Sequence, residues 1–305
     1  MLCPKSQYRI DEFAGLVHPR DGHRKVYAMI DGYLDESGIH NGAAVCVVAG
    51  YFGGRGQWRK FEVDWKQMLR EHKVPMEKFH TKDFYPHPKP KTFFRDEWGG
   101  DYQAFQEAVA ATISRHKKIH PISAGIIVSD FFKFSMDERR FLTGARKRNG
   151  KLVTSGCPKK PYFVPFQLAL RTICRYAPIG GKAHFFFGID RPFYEYATVL
   201  FKQIKNDDLH DGEWSWKQRL GDPSAPRAAN TPQLQAADFI AHLTYHHMLN
   251  AKDKIGLLLP IPLLATCLRN RRSQDDFFFS TRTTLQEGLD QCGPLEESLK
   301  LRESS

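Results

Sequence analysis

The sequence has no apolar run long enough to cross a bilayer. The longest near its C-terminal end, IGLLLPIPLLA, is short and broken by Pro260 and Pro262. The opening residues MLCPKSQYRIDEF contain no apolar h-region, so a secretory leader is not expected and a cytoplasmic protein is. Six cysteines (Cys3, Cys46, Cys157, Cys174, Cys267, Cys292) include no CxxC pair. That excludes a zinc ribbon and predicts reduced, mostly buried thiols. Walker A, GxGxxG and GxSxG patterns are missing, so P-loop hydrolysis, dinucleotide chemistry and α/β-hydrolase catalysis are unsupported. No internal repeat or low-complexity tract is present. Acid is in deficit: 34 Asp and Glu stand against 45 Lys and Arg, a formal net charge of +11. Such an excess favours a polyanionic partner, chiefly nucleic acid, with acidic membrane surfaces a weaker choice. The plainer alternative is a soluble enzyme that is merely basic.

What is present suffices for a packed core: of 305 residues, 41% are hydrophobic and 13% aromatic. Residues 1–25 are polar and mixed, a tail or leading strand. VYAMIDGYLD reads as a strand, ESGIHNG as turn chemistry, and AAVCVVAGYF as a buried strand pairing with the first in a hairpin. QWRKFEVDWKQMLREH has helical spacing, with Trp58, Phe61, Trp65, Met68 and Leu69 on one face. A loop, FHTKDFYPHPKPK, leads to helix DYQAFQEAVAATISRH and strand PISAGIIVSD. Residues 131–160 break this pattern: from Arg139 to Lys160 there are eight Lys or Arg and no acid, as in an insertion or mobile loop. Helix PFQLALRTICRYA, strand KAHFFFGID and helix FYEYATVLFKQIK follow, and GEWSWKQRLGDPSAP holds a final strand. Thr231 as N-cap and Pro232 at the first helical position start helix TPQLQAADFIAHLTYHHML. Residues 251–305 read as C-terminal helices and a polar tail. This alternation after a leading hairpin predicts a mixed α/β domain over residues 26–250, with helices covering the sheet.

Three acids stand out against their surroundings. Asp35, beside Glu36, ends the first strand, where a turn-forming acid is the plain alternative. Asp190 ends the apolar strand AHFFFGID. A helix N-cap is one reading and a carboxylate at the carboxyl edge of a parallel sheet the other. If the strands of Asp35 and Asp190 are parallel neighbours, their carboxylates lie side by side. Asp238 sits two turns into a mostly apolar helix, where an unpaired acid is costly and a structural ion pair is the alternative. Clustered, the three would need a cation, and an oxygen-rich set suits Mg²⁺ or Mn²⁺.

YLDESG, FHTKDF, FFFGID and LQAADFIAHLTYH, in this order, resemble a large bacterial family (domain of unknown function 3800) whose members carry a DESG motif and a late Q-x-A-D helix. The likeness runs over roughly residues 26–250. It implies a ribonuclease-H-like fold, a mixed central sheet flanked by helices, here with a basic insertion at 131–160 and a C-terminal helical extension. It also implies a divalent-metal-dependent nuclease that uses metal-activated water. In that reading Asp35, Asp190 and Asp238 are the metal ligands, and Glu36 is a ligand or base. Strand alternation, however, sends the Glu36 side chain to the other face. Gln235 positions a ligand, water or phosphate. The fourth acid is open among Glu62, Asp64, Glu77 and Asp83; His80 in FHTKDF matches the family pattern as a site residue, with Asp83 behind it.

His242 and His246 have the i,i+4 spacing of zinc enzymes, but no Glu follows His242 as in HExxH and no third ligand is evident. A half-buried helix histidine is expected at each, with His242 near enough to Asp238 to support it. Arg146, Lys147, Arg148, Lys151, Lys159 and Lys160 are the candidate phosphate contacts if nucleic acid, DNA or RNA, is the partner. Trp214 and Trp216, near Lys217 and Arg219, read as core or strand residues, with base stacking the alternative. A non-catalytic nucleic-acid binder on the same fold, and a hydrolase or phosphotransfer enzyme for a smaller phosphorylated substrate, are the competing functions.

Overall fold

A computed structural model describes residues 29–40, 42–144, 146–148, 151–154, 156–178, 181–187, 198–202, 217–224, 228–251, 261–273 and 276–290. Its leading unit is an antiparallel meander of β1 (Ile30–Ser37), β2 (Val45–Gly54) and β3 (Ile119–Ile127). Strand β2 is rich in Val and aromatic residues and buried along almost its whole length, as befits a central strand covered on both faces. Register is set by that burial: Leu34 pairs with Gly50, Asp35 with Ala49 and Glu36 with Val48. A slip of one residue would turn every side chain of β1 to the wrong face.

Later strands add in parallel. β6 (Ala183–Phe187) lies beside β1, with Leu34 opposite Phe187. β7 (Leu220–Ser224) lies beside β6. β8 (Phe277–Ser280) lies beside β3. The order of the six-stranded sheet is β7-β6-β1-β2-β3-β8. Pro223, which has no N–H to give a ladder, is tolerated because β7 is an edge strand. β8 departs from the expected helical C-terminal segment; its aromatic run, Phe277–Phe279, supplies an edge of the main sheet.

Helices cover both faces. On one side lie α1 (Arg55–Glu71), α3 (Tyr102–Arg115) and α7 (Pro232–Ala251), packed on Tyr33, Val47, Ala49 and Tyr51. The five expected α1 residues are its buried face. Helix α7 is buried nearly all round, because it lies between the sheet and α1 and α8 (Pro262–Cys267). On the other side α6 (Phe163–Tyr176) packs on Leu34, Val48, Phe52 and Ile122. Between α1 and α3 comes the one-turn α2 (Thr81–Phe84).

Within 131–160, where an insertion or mobile loop is expected, the described residues include regular elements. Short helix α4 (Val128–Phe131) precedes α5 (Met136–Leu142), and Ser135 and Glu138 close a reciprocal capping box on α5. An antiparallel ribbon follows, β4 (Arg146–Arg148) with β5 (Lys151–Thr154). Thr143 Oγ1 accepts from the Cys157 N–H at 2.7 Å, joining the two ends of that excursion. Helix α9 (Arg282–Asp290) ends the described chain. Residues 198–202 are helical, as expected of FYEYATVLFKQIK. No helix among the described residues is long and apolar enough to cross a membrane. Cys46, Cys174 and Cys267 are buried free thiols and Cys157 a half-buried one.

The glycine of DESG has a physical reason. Gly38 has φ +76, and a Cβ there would lie 2.1 Å from the Val45 carbonyl oxygen and 2.7 Å from the Tyr245 ring. Gly42 has φ +85 but nothing within 4 Å. Gly42→Ala should therefore cost only the ~1–2 kcal/mol of a left-handed backbone. Gly38→Ala should cost a further ~1–3 kcal/mol for overpacking. Urea denaturation of both variants checks this; equal losses would contradict the packing of α7 against the turn.

Candidate active site

The site begins with a segment that two side chains of α7 hold in place. Gln235 and Asp238 are three apart and share a helix face. The Gln235 carboxamide oxygen accepts from Trp65 Nε1 at 2.8 Å. Its nitrogen donates to the Met76 carbonyl at 2.7 Å and the Ala229 carbonyl at 3.2 Å. One turn on, Asp238 Oδ2 accepts from the Thr81 N–H at 2.8 Å and meets His80 Nδ1 at 3.3 Å. The helix thus grips the start and end of residues 76–81. Gln235 is buried, and its contacts differ from the expected role of positioning a ligand, water or phosphate: it positions chain.

FHTKDF suits this arrangement. Phe79 and Phe84 are buried, packing on Trp65, Phe105 and Phe239. Gln106 donates to the Phe84 carbonyl at 3.0 Å. Two aromatic anchors therefore fix the segment while His80, between them, faces outward with 47% of its side chain exposed. Asp83 makes no side-chain hydrogen bond among the described residues; its carbonyl accepts from the Lys89 N–H at 3.1 Å. Of the other fourth-acid candidates, Asp64 on α1 pairs with His116 at the C-terminal end of α3 at 3.0 Å, and Glu62 with Lys66 along α1.

Asp35 lies on the face of β1 that α7 covers. Its carboxyl is pushed well above the usual range, first by burial, then by the negative charges of Glu36 and Asp238; the Glu36 N–H offsets part of this. No cationic side chain among the described residues pairs with it. Asp238 goes the other way. Burial raises it, but the hydrogen bond and charge of His80 and the bonds from Thr81 outweigh that and hold it below the usual range. The fold therefore brings Asp35 and Asp238 within reach of each other's charge and separates their proton affinities. Asp31, four residues up the same strand face and so ~13 Å away, is held by Arg55 at 3.5 Å and does not join them.

Glu36 turns to the opposite face, where burial first, and then its charge, raise both Cys46 and Tyr162. It is next to the pair along the chain and across the sheet from it. A cavity of about 110 Å³ on that side is lined by Gly38, His40, Cys46, Lys159, Lys160 and Tyr162, among others. Both lysines are exposed. Arg139 donates to the Pro158 carbonyl at 3.1 Å and lies 5.1 Å from the Phe132 ring, which anchors this basic stretch beside the turn. Arg146, Lys147, Arg148 and Lys151 lie in the β4–β5 ribbon. Asp190, Trp214 and Trp216 fall outside the described residues. Their context is shown only as far as Phe187, whose strand is the parallel neighbour of β1, as the side-by-side arrangement requires.

His242 is one turn beyond Asp238, and its Nε2 lies 3.1 Å from that of His246. Thr81 and Tyr162 were not expected in the site. The first acts through its backbone N–H, which residue type does not reveal. The second, at the N-cap of α6, lies across the sheet, with no local signal.

Among the described residues no three His, Cys, Asp or Glu side chains converge as a metal cage. Asp35 and Asp238 are two oxygen donors, and among the described residues no cationic side chain pairs with Asp35. Oxygen donors of this kind suit a hard divalent cation.

The two carboxylates should respond oppositely when removed. A carboxyl raised in the folded state binds its proton more tightly there than in the unfolded chain, so it erodes stability as pH rises above the ordinary carboxylate range. In EDTA, Asp35→Asn should raise Tm by ~2 °C or more, with the gain growing as pH rises from about 4. Asp238 is lowered, so its contribution is present above the ordinary range and lost on acidification. Asp238→Asn should cost ~1–3 kcal/mol at neutral pH through the weakened Thr81 and His80 bonds. Thermal unfolding across pH checks both; shifts of the same sign would contradict the pairing. Searches against models of known protein families and against curated proteins return no match, so the chemistry of this site rests on its own residues.

Proposed function

We propose that the protein is a divalent-metal-dependent nuclease of ribonuclease-H-like fold, hydrolysing phosphodiester bonds of nucleic acid. The observation that carries this reading is the carboxylate pair: Asp35, at the carboxyl end of β1 on the face that α7 covers, feels the charge of Asp238 and has no cationic partner among the described residues. The frame supports it: a three-stranded meander, then parallel strands added beside β1. So does the net charge of +11, a basic protein around a small acidic spot.

Mg²⁺ or Mn²⁺, when bound, supplies a polarised phosphoryl oxygen and water of lowered pKa. Asp35 and Asp238 would hold the ion, with Asp190, three residues past Phe187, as the further carboxylate. Asp35 has to lose its proton to serve, so its raised affinity makes ion and proton competitors. Asp238 is already ionised and also fixes His80 through Nδ1, leaving the exposed Nε2 edge free to move a proton at the attacking or leaving oxygen. Thr81, through its N–H, keeps Asp238 in that orientation. Glu36, across the sheet, shapes the turn and its basic flank. Lys159 and Lys160, at the rim of the cavity beside Gly38, would contact the phosphates flanking the scissile one.

The test is incubation with single- and double-stranded DNA, RNA and an RNA/DNA hybrid in Mn²⁺, Mg²⁺ or EDTA. Cleavage is expected only with metal, and Asp35→Asn and Asp238→Asn should each reduce it by ~100-fold or more. His80→Ala should cost ~100-fold while leaving metal affinity near that of the wild type. Salt-dependent binding with no cleavage under any metal would move the reading to a non-catalytic nucleic-acid binder. Turnover of small phosphate esters alone would move it to a smaller substrate.

A further inference from the structure

We propose that His242 and His246 form a chelating site for one borderline divalent transition cation, such as Zn²⁺ or Ni²⁺, distinct from the carboxylate pair. The two residues are one turn apart on α7, and their Nε2 atoms face each other at 3.1 Å, with ring centroids 4.6 Å apart and planes at 68°. Zinc–imidazole bonds are ~2.0–2.1 Å. With a 3.1 Å separation, that sets a bite angle of about 98° at a shared ion. This falls between octahedral and tetrahedral values, so the separation suits one shared ion. Two nitrogens from one helical turn form a rigid chelate, with water in the remaining positions.

The surroundings favour neutral rings, the form that ligates. The Tyr85 ring stands edge-on to both imidazoles, at 6.0 and 5.6 Å. Burial first, then the neighbouring His246, lowers His242 to about 4, and burial and Lys89 lower His246. Two charges act on an incoming cation: Asp238 attracts it and Lys89 repels it. Imidazole nitrogens select Zn²⁺, Ni²⁺ or Cu²⁺, whereas the Asp35–Asp238 oxygens select Mg²⁺ or Mn²⁺. The alternative for the same geometry is a single N–H···N hydrogen bond between the rings, with no ion.

The test uses the full-length protein, stripped of metal and titrated calorimetrically with Zn²⁺ while Mg²⁺ is in large excess. The wild type and Asp35→Asn should bind one Zn²⁺ alike. His242→Gln and His246→Gln should each weaken that event ~10-fold or more. Absence of saturable binding in the wild type, or equal binding in both glutamine variants, would overturn the proposal. Should either variant fail to fold, nitrogen-15 spectra of the wild type decide: two neutral imidazole nitrogens must shift on Zn²⁺ addition. Unmoved ring signals leave only the hydrogen-bonded pair and defeat the site. The readout does not depend on nuclease activity, so it stands or falls apart from that function.

Discussion

Everything in the candidate site depends on one grip. Helix α7 holds residues 76–81 at two points, Gln235 on Met76 and Asp238 on Thr81 and His80. The helix itself is fixed by burial between the sheet and α1, with Trp65 bonded to the same Gln235. A buried amide with three partners is costly to disrupt, because each group left unpaired costs ~1–3 kcal/mol. The QAAD run thus clamps the segment at both its ends, through Gln235 on Met76 and Asp238 on Thr81 and His80. Between them, Ala236 and Ala237 let the helix lie close against its neighbours.

That clamp gives two like carboxylates opposite fates. Asp238 receives a backbone N–H and an imidazole and stays ionised. Asp35 receives mainly burial and negative charge, which push its carboxyl well above the usual range. A structure chosen for stability alone would have paired Asp35 or replaced it. Electrostatics across the sheet add to this. Glu36 loads the opposite face, where the lysines at 159 and 160 rim the cavity, so acid and base lie on either side of one strand end.

Much of the fold was legible. The meander followed from β-branched runs split by ESGIHNG, and α1 from five apolar residues at helical spacing. Thr231 and Pro232 marked the start of α7 because their signals are local. Alternation along β1 correctly sent Glu36 away from Asp35. Less local facts stayed hidden. Helix α5 lies in a stretch dominated by its cationic charge, although Ser135 and Glu138 are an ordinary capping box. β8 is four residues long and gains its stability from β3, some 150 positions earlier in the chain. Gln235 looked like a ligand-positioning amide because its partner Trp65 is 170 residues away. His242 and His246 had legible spacing, but not the rotamers that turn their Nε2 atoms together.

The central claim is that a cation takes the place of a proton on Asp35. Calorimetry of Mg²⁺ binding in buffers of different ionisation enthalpy counts the protons released. The account predicts proton release from the wild type below the raised Asp35 pKa, and none from Asp35→Asn. Mg²⁺ binding with no proton release from the wild type across the acidic range, or equal release from Asp35→Asn, would contradict it.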